Sequence, residues 1–310
     1  MYEGGMVKVT IKEVVGSYLQ CVRSRTLAIF GYPYPALISY FIASRSFSQG
    51  TSFAVVKLVI SLSLMALGVY WLNDLFDLDD DLKNLEMGNP IQASRPFGSG
   101  EISETRLKLF ISVNFISSLI VAYFINLTVF GLHVAFIIIG ILYSTEPVRL
   151  KKRFLQKQTT ITMALLLSVL VGAYTAGGVN TPILYMLVLQ FLMGMGLAPL
   201  MDVRDMRGDI IMGIKSLPAV FGPKMAMRLY FATLVVMLGA GLMGYSMVGF
   251  NIAMPLLVVM IVGAWIYVSL PLLRKLDDPI LYGEFIEKRA IPFLVLIQLT
   301  PLIGVINLPI

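Results

Sequence analysis

Asn73-Asp74-Leu75-Phe76-Asp77-Leu78-Asp79-Asp80-Asp81 follows directly on an apolar run at residues 53–72. A run of that length is what a helix needs to cross the hydrocarbon core of a bilayer. The acidic stretch therefore marks a membrane edge. A second one, Asp202-Val203-Arg204-Asp205-Met206-Arg207-Gly208-Asp209, closes another apolar run at 182–201. Paired carboxylate clusters at a membrane edge suit the holding of divalent cations against a phosphorylated, lipid-soluble molecule.

The composition agrees with a membrane chain. Of 310 residues, 57% are hydrophobic and 14% charged, with mean hydropathy +0.83. A soluble domain carries about 25% charged residues. Runs near 20 residues favour helices over the alternating ten-residue strands of a barrel. The expected fold class is an all-α integral membrane protein. The first 20 residues are polar and mixed, so no secretory signal is expected. Cys21 is the single cysteine, which excludes an intrachain disulfide. His133, the single histidine, lies within an apolar run and reads as a packing or polar-contact residue. No nucleic-acid partner is expected.

Apolar runs place membrane helices at 27–43, 53–72, 107–125, 129–143, 159–177, 182–201, 229–248, 251–273 and 290–310, about nine in all. Charge falls almost wholly on one side of this arrangement. Of 24 Lys and Arg, only Arg45 and Lys57 lie elsewhere, and all 18 Asp and Glu share that side. The positive-inside rule makes it cytoplasmic. The chain reads as one domain, 1–310, in the cell membrane. It has a cytoplasmic N-terminal segment at 1–26, and cytoplasmic loops at 73–106 and 202–228 carry the acidic motifs. Both motifs lead into a Gly- and Pro-containing stretch, Ser94-Arg95-Pro96-Phe97-Gly98-Ser99-Gly100 and Gly213-Ile214-Lys215-Ser216-Leu217-Pro218. This suggests two pseudo-repeated four-helix units around a central cavity, plus a ninth helix.

On a helix, Asn73, Asp77 and Asp81 share a face, as do Asp205 and Asp209, with Asp202 one turn earlier. Like charges at that spacing repel without a cation. Mg2+ takes hard oxygen ligands: one or two carboxylates, waters and phosphate oxygens. Basic residues flank the clusters: Arg23, Arg25, Arg95, Arg204, Arg207, Lys215 and the run Tyr143-Ser144-Thr145-Glu146-Pro147-Val148-Arg149-Leu150-Lys151. Lys152, Arg153 and Lys157 read as topology or surface charge.

Asn73-Asp74-x-x-Asp77-x-x-x-Asp81 resembles the NDxxDxxxD motif of the UbiA superfamily of intramembrane prenyltransferases. Asp205-x-x-x-Asp209 resembles its DxxxD motif, and Arg95-Pro96 with Ser99-Gly100 its RP-x-x-SG stretch. The resemblance runs from Arg23 to about Gly222. One departure stands out. The family often has YxxxK, whereas Tyr143 here precedes Lys151 by eight residues, similar to the YSxxPxRLK variant of chlorophyll-synthase-like members. Which basic residue of this loop meets phosphate stays open.

The resemblance implies Mg2+-dependent transfer of an isoprenyl group from a polyprenyl diphosphate, through an allylic carbocation, to a lipophilic acceptor. That acceptor would be an aromatic quinone precursor, a prenylglycerol phosphate or a tetrapyrrole. Two Mg2+ would be held by Asn73, Asp77 and Asp81 on one side and by Asp205 and Asp209 on the other, with Asp202 as a further metal candidate. Asp77, Asp81, Asp205, Asp209, Tyr143 and Lys151 would be catalytic. Asn73, Asp74, Arg23, Arg95, Arg204 and Lys215 would bind diphosphate. Donor, acceptor and membrane lipids are the expected partners. A competing reading is a cation-coupled transporter, since intramembrane carboxylates mark ion pathways.

Overall fold

The computed structural model describes residues 10–44, 49–86, 95–276 and 278–306, and these contain helices and connections but no strand. Helix α1 (Ile11–Ser24) opens with a capping box, in which the Thr10 hydroxyl accepts from Glu13 N and the Glu13 carboxylate from Thr10 N. It is followed by α2 (Thr26–Gly31) and α3 (Pro33–Ser44). Pro33 brings no N–H to a preceding turn, so the path breaks at Tyr32. The span expected at 27–43 is thus two short helices, and α1 meets the segment after it at 64°.

Then come α4 (Gln49–Phe76), α5 (Leu78–Glu86), α6 (Glu104–Tyr123) and α7 (Leu127–Ser144). The second half holds α8 (Gln156–Thr175), α9 (Thr181–Leu192), α10 (Pro199–Ile211), α11 (Leu217–Phe221), α12 (Pro223–Met243), α13 (Ala253–Ser269), α14 (Pro279–Phe285) and α15 (Ile291–Gly304). Two short uncharged connections are closed by asparagines: Asn126 Oδ1 accepts from Val129 N at 2.8 Å and Asn180 Oδ1 from Ile183 N at 3.0 Å.

Among the described residues, seven helices are long and apolar enough to cross a membrane, and eight if the bent pair at the N-terminus counts as one. The ninth expected span, 290–310, corresponds to α15, whose 14 residues end at Gly304. Residues 307–310 lie outside the described part, as does Arg45. Side chains agree with a lipid surround. On α6, Leu109, Val113, Ile116 and Ile120 form an exposed apolar stripe, while Leu107, Phe110, Ile111 and Asn114 are buried behind it.

Two features position the acidic residues. First, α3 and α8, the opening helices of the two proposed units, pack against each other. A Cβ at Gly172 on α8 would run into the Ala36 carbonyl on α3, so glycine there lets the two backbones meet. Both helices face two cores: Ala36 and Leu167 belong to the one around Phe136, Ile38 and Val169 to the one around Trp265. Second, a π-helical turn at Met193–Leu197 joins α9 to α10. Pro199 follows it; a wider turn accommodates a residue that cannot complete the α ladder. Gly194 and Gly196 in that turn sit against Thr162 and Thr233.

Within the segments 73–106 and 202–228, written above as loops, the acidic motifs themselves lie on helices, as their i, i+4 spacing suggests. Asn73 and Asp74 belong to the last turn of α4, Asp79–Asp81 to α5 and Asp202–Asp209 to α10. Apolar counting stops where charge begins, but backbone hydrogen bonding does not.

Candidate active site

The first cluster stays on a helical path across the junction of α4 and α5. Asp77 N donates to Asn73 O at 2.9 Å and Asp81 N to Asp77 O at 2.8 Å. Asn73 Nδ2 donates to Asp77 Oδ2 at 2.5 Å. The carboxylates then divide into two ion-paired sets.

Asp74 takes Arg25 side-on, Nε donating to Oδ2 at 3.0 Å and Nη2 to Oδ1, and Arg95 Nη1 lies 2.6 Å from Oδ1. Arg95 Nη1 also lies 3.0 Å from Asp81 Oδ2. The Arg25 guanidinium sits over the Tyr70 ring, 5.1 Å from its centroid. Arg95 is aimed by a tight turn: Ser99 N donates to Arg95 O at 2.9 Å, and Gly100 takes the left-handed conformation, φ 77°, that glycine adopts freely.

On the other side, Lys151 Nζ lies 2.5 Å from both Asp77 Oδ1 and Asp80 Oδ2. Arg149 Nη2 lies 3.3 and 3.1 Å from the same two carboxylates, and also donates to Phe76 O at 2.9 Å. These basic groups come from the connection between α7 and α8.

Burial sets the electrostatics. It pushes the Asp81 carboxyl up to about 6, opposed by Arg95 and reinforced by Asp77 and Asp74. Burial and the neighbouring Arg25 lower Arg95, against Asp74 and Asp81. Burial also acts to lower Arg149, but Asp80 and Asp77 outweigh it and raise the group.

The second cluster, on α10, faces the first, since α5 packs on α10. Lys157 Nζ lies 2.7 Å from Asp202 Oδ1 and 3.3 Å from Asp209 Oδ2. Gln158 Nε2 donates to the other Asp202 oxygen. Arg204 grips Asp205 with two bonds of 2.8 Å. Tyr143, at the end of α7, is near enough to Lys157, Asp77, Asp202 and Asp209 to feel the charge of both clusters. A surface pocket of about 280 Å3 touches only the outer side of the first cluster, through exposed Asp79.

The structure thus brings together Asn73, Asp74, Asp77, Asp81, Arg95, Tyr143 and Lys151, and opposite them Asp202, Arg204, Asp205 and Asp209. Two expected residues stand apart: Arg23 and Lys215 are exposed. Helix α1 turns Arg23 outward, and its expected place is taken by Arg25. Lys215 joins the cluster region through its backbone, N donating to Lys152 O at 3.3 Å. Sequence reasoning passed over Asp80, although it lies three residues after Asp77 and so on the same helix face. It left Lys157 as a surface charge, and that reading is corrected: its side chain is 14% exposed and doubly paired. No spacing rule marks Lys157; its role depends on how α8 rotates against α10.

The donors suit Mg2+ as pairs. Among the described residues, no three His, Cys, Asp or Glu converge as a protein cage. Asp77 with Asp80, and Asp202 with Asp209, each converge on one cationic atom. Mg2+ typically takes one or two carboxylates and completes its shell with water and phosphate, which such a pair permits.

Comparison with known proteins agrees with this reading. Residues 32–280 match the UbiA prenyltransferase family. A digeranylgeranylglyceryl phosphate synthase of Methanocaldococcus jannaschii is 29% identical over 167 residues, 54% of either chain, so this chain spans about half the length of that curated relative. A solved UbiA homologue of Archaeoglobus fulgidus, bound to GPP and Mg2+, superposes with TM-score 0.70 at 21% identity over 93% of this chain and 98% of that one. A structure from work on digeranylgeranylglyceryl phosphate synthase gives 0.69 at 21% identity over 94% and 98%. An apo UbiA homologue of Aeropyrum pernix gives 0.63 at 18% identity over 90% and 95%. The apolar helices make this an integral membrane protein, the transporter reading falls away, and the match across most of its length makes the chain a member of the UbiA prenyltransferase family.

Proposed function

We propose that the chain transfers an isoprenyl group from a polyprenyl diphosphate to a prenylglycerol phosphate, with the donor diphosphate held between the two acidic clusters. The observation that carries the site is the set of carboxylate pairs, each converging on one cation. The acceptor class rests on the relative that is a digeranylgeranylglyceryl phosphate synthase. Aromatic quinone precursors and tetrapyrroles remain the other acceptors to test.

Asp77, Asp80, Asp81 and Asn73 are the residues that would hold Mg2+ at the first cluster, with Asp202, Asp205 and Asp209 opposite. Mg2+ bound there would neutralise charge on the departing diphosphate. The chain's own cations do the same. Arg149 and Lys151 turn from Asp77 and Asp80 to phosphate oxygens, and Arg25 and Arg95 raise the positive potential behind Asp74. Their charge matters most where negative charge develops, so it favours ionisation over mere binding. The C–O bond breaks, diphosphate leaves with the electron pair, and the allylic cation is captured by the acceptor nucleophile, which loses a proton. Tyr143, near both clusters, is the candidate for steering that cation. Apolar helices on the membrane side keep water away. Active-site loops on the cytoplasmic side complete the proposal, on the charge asymmetry.

The test is diphosphate release from geranylgeranyl diphosphate by purified protein in detergent. Geranylgeranylglyceryl phosphate, 4-hydroxybenzoate, dihydroxynaphthoate and a chlorin are offered separately, with Mg2+ or with excess EDTA. Release with the glyceryl phosphate alone, abolished by EDTA, is the expected result. A prenylated product from another acceptor would replace the assigned acceptor. Turnover in excess chelator would refute the metal.

A further inference from the structure

We infer that a cleft between α12 and the chain after α13 is a site for an anionic membrane phospholipid, which sets its phosphate on Lys224 and Arg228 and lays an acyl chain on the apolar residues beneath them. The cleft measures about 470 Å3 and is lined by Lys224, Met227, Arg228, Phe231, Leu273 and Leu276. None of these belongs to the acidic clusters.

Its depth follows from the two spans that form it. One begins at Pro223 and the other ends at Arg274, so the cleft lies where both meet the membrane edge. Lys224, Arg228 and Phe231 are spaced i, i+4, i+7 and share a face of α12, with Val235 one turn further in. From the edge inward that face reads cation, cation, aromatic ring, aliphatic side chain. A phospholipid has the same order, phosphate above and hydrocarbon below. The floor also continues into the lipid-facing surface: Val235, Leu270 and Leu273 are exposed.

The charge is uncommitted. Lys83, Lys108 and Lys288 are exposed lysines that pair with Glu86, Glu104 and Glu284. Lys224 and Arg228 are exposed and have no acidic partner among the described residues, and Arg274 and Lys275 beside the cleft have none either. Membrane topology asks only that cations lie on this side. It does not gather them around one cleft with an apolar floor. Side chains one helical turn apart reach two oxygens of one phosphate, and cations at this level draw anionic headgroups.

The experiment counts lipid. Purified protein, the full chain in detergent, is mixed with equal phosphatidylglycerol and phosphatidylcholine of identical acyl chains and washed. Retained lipid is counted per chain by mass spectrometry. The expected result is about one phosphatidylglycerol per chain in preference to phosphatidylcholine. Lys224→Gln with Arg228→Gln weakens its binding about 30-fold, whereas Lys224→Arg with Arg228→Lys keeps it and Lys83→Gln with Lys288→Gln leaves it unchanged. Equal retention of the two lipids, or wild-type retention by the neutral pair, overturns the inference. Competitors separate the sources of phosphate. Displacement by inorganic phosphate as readily as by lysophosphatidylglycerol would make this a site for free phosphate. Stronger displacement by geranylgeranylglyceryl phosphate would give it to a substrate. Either result overturns the membrane lipid. Should the neutral pair aggregate, the single variants decide: a loss of about fivefold in each supports the inference, and no loss in either refutes it.

Discussion

Lys151→Met tests the site where its electrostatics are tightest. Lys151 Nζ touches Asp77 and Asp80 at 2.5 Å each, and the three side chains are 7%, 8% and 4% exposed. Removing one partner of a buried pair costs about 3–5 kcal/mol. Arg149 stays within 3.3 Å of both carboxylates, so the lower end, about 3 kcal/mol, is expected here. The same change removes the cation with which Mg2+ competes. If about 2 kcal/mol of that cost returns on metal binding, Mg2+ affinity without diphosphate rises roughly 30-fold. Turnover moves the other way. Loss of one preorganised charge at the leaving group lowers kcat by about 10²–10³. The assays are Mg2+ titration by calorimetry, thermal unfolding in detergent, and diphosphate release. A merely structural lysine would weaken folding without tightening Mg2+. Unchanged or weaker Mg2+ binding, or kcat within threefold of wild type, would refute the reasoning.

Three further outcomes follow from the same geometry. Asp77→Ala removes the carboxylate shared by Asn73, Arg149 and Lys151; turnover falls by at least about 10²–10³ while the protein still runs as a monodisperse species in detergent. Near-normal activity would sink the assignment. Arg25→Ala costs about 10² in diphosphate release because Asp74 loses two hydrogen bonds and its nearest cation, whereas Arg23→Ala, at an exposed position, changes it less than threefold. Equal effects would restore Arg23 to the site. Gly172→Leu forces α3 and α8 apart at a backbone contact that cannot yield. It should destabilise by about 1–3 kcal/mol or more, read as a lower unfolding temperature, with an unshifted temperature as the refuting result.

Several features were legible in the residues because they are local. Apolar runs of bilayer length, the one-sided charge, and the Asn73–Asp77–Asp81 spacing are properties of short segments, and the bilayer and the helix repeat act on them directly. The membrane class, most spans and both acidic clusters came from there. Arg95 came from its place after the first cluster and from the resemblance of Arg95-Pro96 and Ser99-Gly100 to the RP-x-x-SG stretch; the structure added the turn that aims it.

Pairing belonged to the tertiary structure. Arg25 rather than Arg23 meets Asp74, partners 49 residues apart, because α1 ends where it does and turns. Asp80 is as much a part of the site as Asp77 because Lys151 reaches both. Lys157 looked like one more loop charge beside Lys152 and Arg153, yet it is buried against aspartates on a different helix. A charge's role depends on what faces it. That depends on helix rotation, on a π-turn that re-aims α10 and on a glycine that lets α3 and α8 touch. Sequence alone determined where the membrane ends and that acid gathers there, because both follow from composition along the chain. Which cation each acid holds was decided only when helices distant in sequence packed together, because burial is what makes an ion pair specific.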